Sequence, residues 1–183
     1  MKKIAVLITS LILVFTLTGC MPTNRNSANA TASVDLVLPT KAGEASGQEE
    51  IDLPKISDTD FKDDMAGLCE YLEKTYSVAD EKAQMSYDVI EAKDGYRYLF
   101  RYNKSTVQIE VYEFDLENLT EEAKTNLENV KANGKLKVIE KEVDAVLSNS
   151  GKYVMIYQDQ SKEEANAVQK ERVIDLFKTF HQA

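Results

Sequence analysis

Acidic side chains are the most numerous groups in this chain that could take part in chemistry. Asp58, Asp60, Asp63 and Asp64 form the densest cluster, and several close carboxylates can bind a hard cation such as Ca²⁺. Their spacing does not match the helix–loop–helix calcium loop, because the turn glycine and the terminal glutamate are missing. Negative side chains also stabilise the first turn of a helix. We therefore expect a helix start at this cluster rather than a metal site.

The other groups typical of active sites are scarce. The single histidine, His181, lies close to the end of the sequence, where catalytic groups are uncommon. Glu110 and Glu113 are three residues apart, so a regular strand would turn them to opposite sides. No glycine-rich phosphate loop is present. The sequence therefore predicts a protein that is not an enzyme and that needs no cofactor or metal.

Tyrosines form the most promising binding surface. They alternate along one predicted strand and recur on the next, and tyrosine combines a large contact area with a polar tip. We predict that they form one face that binds a protein, a peptide or a glycan. The alternative is that the rings form the core under the helices. The predicted face consists of six residues: Tyr96, Arg97, Tyr98, Arg101, Tyr102 and Tyr112.

The segments that would position these residues alternate between helix and strand. Apolar residues at spacings of three and four predict a helix from about Ser57 to Tyr76. Strands are predicted around 96–102, 106–114 and 152–157, with Asn103–Ser105 as a turn. Around 85–89 a strand is favoured over a helix, and 136–139 and 143–147 are either two strands or one bent strand. Thr120 and Gly134 are typical of the two ends of a second helix. A third helix begins near the capping-box pattern Ser161–Glu164 and ends near Phe180.

This order predicts an α+β fold, with three helices packed on a mainly antiparallel sheet of five or six strands. A duplicated α-β-β unit remains open, because each half contains a helix followed by a hairpin. Residues 58–183 are predicted to form one domain. Residues 20–57 contain all three prolines and stretches rich in Asn, Ser and Gly, and they predict a flexible linker. Its apolar patch Val34–Leu38 could dock on the domain, bind a partner or have no role.

The first twenty residues combine Lys2 and Lys3 with an apolar run, Ile4–Leu17, that is shorter than the ~20 residues of a membrane-spanning helix. Leu17-Thr18-Gly19-Cys20 resembles the lipobox of bacterial lipoproteins. The resemblance implies that residues 1–19 are a signal peptide and that Cys20 carries acyl chains. These chains would hold the protein to the cell membrane on its extracytoplasmic side. The rest of the chain resembles small clostridial-type lipoproteins of unknown function, and that resemblance assigns no residue a role.

Lipidation of Cys20 would leave Cys69 without a partner for an internal disulfide. Removal of residues 1–19 would also change the net charge from −9 to −11, because Lys2 and Lys3 are lost. An acidic surface argues against nucleic acid as a partner. We therefore expect an anchored binding domain for an envelope protein, peptide or cell-wall component. The alternative is a structural or accessory subunit of an envelope complex that uses the apolar residues of the linker.

Overall fold

The computed structural model describes residues 34–41, 50, 51, 53 and 55–182. It contains three α-helices, α1 (Met65–Lys74), α2 (Glu121–Asn133) and α3 (Glu164–Thr179), and two short 3-10 helices, Asp58–Asp60 and Tyr87–Ile90. The strands are β1 (Thr40–Lys41), β2 (Glu50–Ile51), β3 (Lys82–Gln84), β4 (Asp94–Tyr102), β5 (Ser105–Glu113), β6 (Lys135–Val138), β7 (Lys141–Asp144), β8 (Val146–Leu147) and β9 (Tyr153–Asp159). The predicted α+β class is confirmed.

One five-stranded antiparallel sheet organises the domain, in the order β3-β4-β5-β9-β8. The hairpins β1–β2 and β6–β7 form separate two-stranded sheets. Because side chains alternate along a strand, the central strands give the sheet two distinct faces. We call the side that carries Tyr98, Ile109 and Tyr157 the front face, since the pairing register places these three residues side by side. The side that carries Arg97, Glu110 and Ile156 is the back face.

Two helices cover the front face. Leu68, Leu72, Val173 and Phe177, from α1 and α3, are fully buried in a cluster that also contains the front-face residues of β4, β5 and β9. Aromatic rings tie the helix ends together, for example Tyr71 and Phe180 with ring centroids 5.3 Å apart. This cluster is the main hydrophobic core, and its burial is the principal source of stability.

The back face is covered only in part. Ala123, Leu127 and Val130 of α2 pack with Leu136 of β6 in a second buried cluster, which also holds Tyr112, Phe114, Val154 and Ile156 of the sheet. The helices are thus divided between the faces, with α1 and α3 on the front and α2 on the back. A duplicated α-β-β unit is not supported by this layout, because α1 and α2 would then lie on the same side of the sheet.

Local capping explains where the helices begin and end. The Thr120 side chain accepts from the Ala123 amide and Gly134 adopts φ 65° after α2, so both predicted ends are confirmed. The helix predicted from Ser57 begins only at Met65, because Asp64 is its N-cap and accepts from the Gly67 amide. A Cβ atom at position 67 would lie 2.0 Å from the Lys62 carbonyl oxygen, so the chain needs glycine there.

Two other local predictions were wrong. The residues around 85–89 were predicted to be a strand, but Tyr87–Ile90 form a 3-10 helix and the preceding strand is β3. The predicted capping box at Ser161–Glu164 is not formed, because the N-cap of α3 is Glu163 and the Ser161 hydroxyl accepts from the Glu163 amide. In both places local bonds replace the predicted ones: the Glu91 amide donates to the Asp88 carbonyl, and the Ser161 hydroxyl accepts from the Glu163 amide instead of that of Glu164.

Part of the predicted linker is attached to the domain. The Leu36 amide donates to the Arg101 carbonyl, and the Arg101 amide donates to the Val34 carbonyl, both at 2.8 Å. Asp35 thereby forms a parallel bridge with β4. Val34 and Leu36 pack against the front-face core. Of the three interpretations of the apolar patch, docking on the domain is therefore the one that the structure bears out.

Candidate functional site

The six residues of the predicted binding face do not share a face. The β4–β5 turn contains only Asn103 and Lys104, both with positive φ (46° and 64°), so Tyr102 pairs with Ser105. This register places Tyr96 opposite Val111 and Tyr98 opposite Ile109. Tyr112 pairs with Gly95 and therefore lies on the back face with Arg97. The prediction of one continuous tyrosine face is wrong, because a one-residue change of register exchanges the two faces of a strand.

The front-face tyrosines belong to the core. Tyr98 is fully buried, and Tyr96 and Tyr102 are half-buried against the same cluster. The Tyr98 hydroxyl donates to Glu73 at 3.0 Å. Burial raises the pKa of the Tyr98 hydroxyl well above its usual value, and its contacts with Cys69 and Glu73 act in the same direction. The alternative interpretation, in which the rings pack under the helices, therefore describes this side of the sheet.

Tyr112 is also buried, but on the back face. A Cβ atom at Gly95 would lie 2.6 Å from the Tyr112 ring, so the ring covers this glycine. Its hydroxyl donates to Glu110 at 2.8 Å, and Arg97 pairs with Glu110 across the strands. Arg101 is exposed near the end of β4, where its side chain approaches Asp35 at 3.9 Å. Of the predicted face, Arg97 and Tyr112 thus lie beside Glu110, which borders an open surface.

That open surface is a hollow of about 440 Å³ between the sheet and the β6–β7 hairpin, which we call the back-face groove. Glu110, Ile156 and Gln158 line its floor on the sheet side. The hairpin contributes its opposite wall, formed largely by the apolar residues Val138, Ile139 and Val143. Hollows of this size with apolar walls and a few polar groups are typical of binding sites.

The tip of the hairpin has unusual backbone geometry. Ile139 has φ 58° and its side chain is 69% exposed. A β-branched residue in the left-handed region costs about 1–2 kcal/mol, and glycine or asparagine is the usual residue there. Such strain is concentrated at functional sites. The chain therefore holds an apolar side chain in solvent, at the mouth of the back-face groove, where a polar residue would be more stable.

Polar side chains continue the surface beyond Gln158. A second hollow of about 430 Å³ is lined by Leu99, Thr106, Gln108 and Gln160 together with Gln158. Asp159 at its margin accepts from Ser105 at 2.6 Å and from Asn166 at 2.6 Å. Because Gln158 borders both hollows, the uncovered back face is one surface, apolar at the hairpin and rich in amides at the β4–β5 turn.

A larger cavity, about 610 Å³, lies elsewhere, between the ends of α2 and α3. Its two lysines, Lys131 and Lys178, occupy the last turns of these helices. Cations in the last turn of a helix are favoured by the helix dipole. The positive charges in this cavity are therefore explained by the helices that carry them, and the cavity is not our candidate site.

The acidic cluster serves to hold the fold together. Asp64 caps α1, and Asp58 accepts from the His181 amide at 2.8 Å. Asp63 accepts from the Tyr153 hydroxyl at 2.7 Å and from Lys152 at 3.3 Å. Within the described part of the chain, no group of three or more His, Cys, Asp or Glu residues has a geometry that could hold a metal ion.

Cys69 is buried in α1, and burial raises the pKa of its thiol to about 11. A thiol with a raised pKa is a poor nucleophile, and its sulfur lies 3.9 Å from that of Met65. Cys69 is therefore a core residue. The predicted signal peptide (1–19) and Cys20 lie outside the described residues.

Sequence inspection missed Ile139, Val143 and Gln158. Residues 136–139 and 143–147 were predicted as strands, but the observed hairpin turns at Ile139–Glu140, and no Asn-Gly or similar dipeptide marks this loop. The indication of this loop in the sequence was Ile139 itself, which interrupts the alternation of the two short segments.

Comparisons with protein-family models, with curated proteins and with solved structures found no match. Among the residues that the structure describes, no helix is both long and apolar enough to span a membrane.

Proposed function

We propose that this protein is an extracytoplasmic lipoprotein that is anchored through Cys20 and binds an envelope protein, peptide or cell-wall component. It is not an enzyme in this proposal. The lipobox-like sequence Leu17–Cys20 supports the anchor, since two or three acyl chains suffice for stable attachment. We place the binding site in the back-face groove. The observation that carries this placement is the strained, exposed Ile139 beside the apolar walls of the groove.

Within the described part of the chain, the front face is the weaker candidate. Its tyrosines are buried or half-buried, and α1 and α3 cover them. The alternative, an accessory subunit that uses the apolar residues of the linker, is less well supported. Val34 and Leu36 already pack on the domain, so Val37, at 74% exposure, is the residue of that patch that remains available.

The anchor is tested by replacing Cys20. In the proposed function, Cys20→Ala prevents acylation, so palmitate labelling is lost. Cys69→Ala is the matched control, because Cys69 is buried and should leave labelling unchanged. Membrane retention of the Cys20→Ala variant with undiminished labelling would contradict the proposal.

The binding site is tested by affinity capture from envelope extract with two matched variants of the full chain. Ile139→Asp places a charge at the groove, and Val168→Asp places the same charge on an exposed apolar residue of α3. A ligand of the groove is recovered by the wild type and by Val168→Asp but not by Ile139→Asp. Equal recovery by both variants would show that the groove is not the binding site.

A further inference from the structure

The outer edge of β9 is open next to the back-face groove. β8 pairs only with Val154 and Met155, whereas β9 continues to Asp159. The chain before β8 turns away, since the Ala145 amide donates to the Gly134 carbonyl and β7 pairs with β6. Within the described ranges, no strand therefore pairs with the outer side of residues 156–159.

The register shows which backbone groups face this opening. The Ser148 amide donates to the Tyr153 carbonyl, so the peptide groups of Tyr153 point towards β8. The Phe114 amide donates to the Lys152 carbonyl, so the peptide groups of Lys152 point towards β5. Because this direction alternates along an antiparallel strand, the amide and carbonyl of Tyr157 point outward, beyond the end of β8.

An unpaired strand edge is a template for another strand. The side chains of Ile156 and Gln158 line the floor of the groove, and both flank Tyr157 in sequence. A strand laid along this edge would bond to Tyr157 through its backbone. Every second side chain of that strand would point to the back face and enter the groove against Val143 and Ile139.

From this geometry, and resting on the proposed function, we propose that the ligand of the groove is an extended peptide segment of a partner protein. It adds a strand to the outer edge of β9 and places alternate apolar side chains in the groove. This is the recognition mode in which main-chain bonds supply affinity and pockets for alternate side chains supply specificity.

A sugar chain fits the same surface less well. Sugar rings are commonly held against aromatic faces, whose large apolar area suits such contacts. Among the described residues, the aromatic residue that is exposed is Tyr76, at 37%, which follows α1 and does not border the groove. The amides of Gln108, Gln158 and Gln160 instead offer donors and acceptors to a peptide backbone.

The test selects random displayed peptides on the immobilised full chain and measures the affinity of the enriched peptides. We expect enrichment of sequences with two apolar residues separated by one other residue. Val143→Glu should weaken their binding about tenfold or more, and Ile139→Asp provides the same test at an exposed position. Saturating peptide should slow hydrogen exchange of the Tyr157 amide, whereas the Ile109 amide, inside the ladder, should not change.

The possible results test strand addition, the peptide ligand and the groove separately. Peptides that bind through the groove without slowing exchange at Tyr157 would overturn strand addition and leave the proposed binding site intact. Failure of any peptide to be enriched, while groove-dependent capture from envelope extract persists, would overturn the peptide as ligand. Peptide binding that is unaffected by both Val143→Glu and Ile139→Asp would overturn the groove as the binding site.

Discussion

The two faces of the central sheet are built from the same strands but differ in what covers them. On the front face, α1 and α3 bury Tyr98, Tyr157 and the aliphatic residues and leave Tyr96 and Tyr102 half-buried. On the back face, α2 and the β6–β7 hairpin cover one end, and the groove and the glutamines remain accessible at the other. The comparison shows that aromatic content alone does not identify a binding face. The face with fewer tyrosines is the one left open.

The largest expected difference between the faces is in stability. Phe177→Ala removes a fully buried ring from the front-face core, and we expect the free energy of unfolding to fall by about 3–5 kcal/mol. Leu99→Ala, on the uncovered part of the back face, should lower it by less than about 1 kcal/mol. Urea unfolding of both variants measures the difference. Similar losses would show that the back face is as well packed as the front.

Glu113 joins the front face of the sheet to the start of α1. Glu113 is buried and accepts from the Met65 amide at 3.0 Å, while Lys93 and Lys152 lie 3.2 Å from its other oxygen. Glu113→Gln leaves these donors without a charged acceptor, so we expect a loss of about 2 kcal/mol. Glu110→Gln is the back-face control. If Glu113→Gln unfolds at the same midpoint as the wild type, Glu113 does not stabilise this junction.

Ile139 should affect stability and binding in opposite directions. Ile139→Asn relieves the positive-φ strain, because asparagine tolerates this conformation, and should stabilise the protein by about 1 kcal/mol. The same variant should bind groove ligands more weakly, since the apolar tip is lost. Thermal unfolding and the affinity for a selected peptide are measured on one preparation. Stabilisation with full affinity would mean that the strained isoleucine has no part in binding.

The smallest effect is expected in the pH dependence. Burial acts to raise the pKa of Asp159, but its hydrogen bonds from Ser105, Ser161 and Asn166 outweigh this and lower it below the usual value of 3.8. A carboxyl with a lowered folded pKa contributes stability above its unfolded pKa, and this contribution is lost as the pH falls through the folded pKa. Between pH 5 and pH 2, about the range of carboxyl titration, the wild type should lose more stability than Asp159→Asn. Parallel curves would contradict this role.

Local sequence patterns predicted the helices that have clear capping residues or regular apolar spacing. Thr120 and Gly134 marked both ends of α2, and the inward residues of α3, such as Val173 and Phe177, followed from helical spacing. The candidate site was harder to predict, because the face on which each side chain lies depends on whether the β4–β5 turn has two or three residues. A three-residue turn at Asn103–Ser105 would place Tyr96 and Tyr112 on one face, whereas the observed two-residue turn separates them. No short-range pattern determined which turn would form.

The groove was beyond the reach of sequence inspection for a different reason. It exists because α2 covers only part of the back face and because the β6–β7 hairpin leaves the main sheet. Both are consequences of long-range packing, which local propensity does not encode. The docking of Val34 and Leu36 is of the same kind, since β4 offers them an edge that β3 leaves free.

We propose that the protein binds its partner through the back face. The most direct measurement is photo-crosslinking in intact cells with a photoreactive phenylalanine analogue in place of Gln158 on the back face, or in place of Glu171 on α3. Both positions are exposed. We expect a discrete crosslinked product from position 158 that is absent from position 171 and is lost when Val143→Glu is added. A product at position 171 alone, or one at position 158 that survives Val143→Glu, would contradict it.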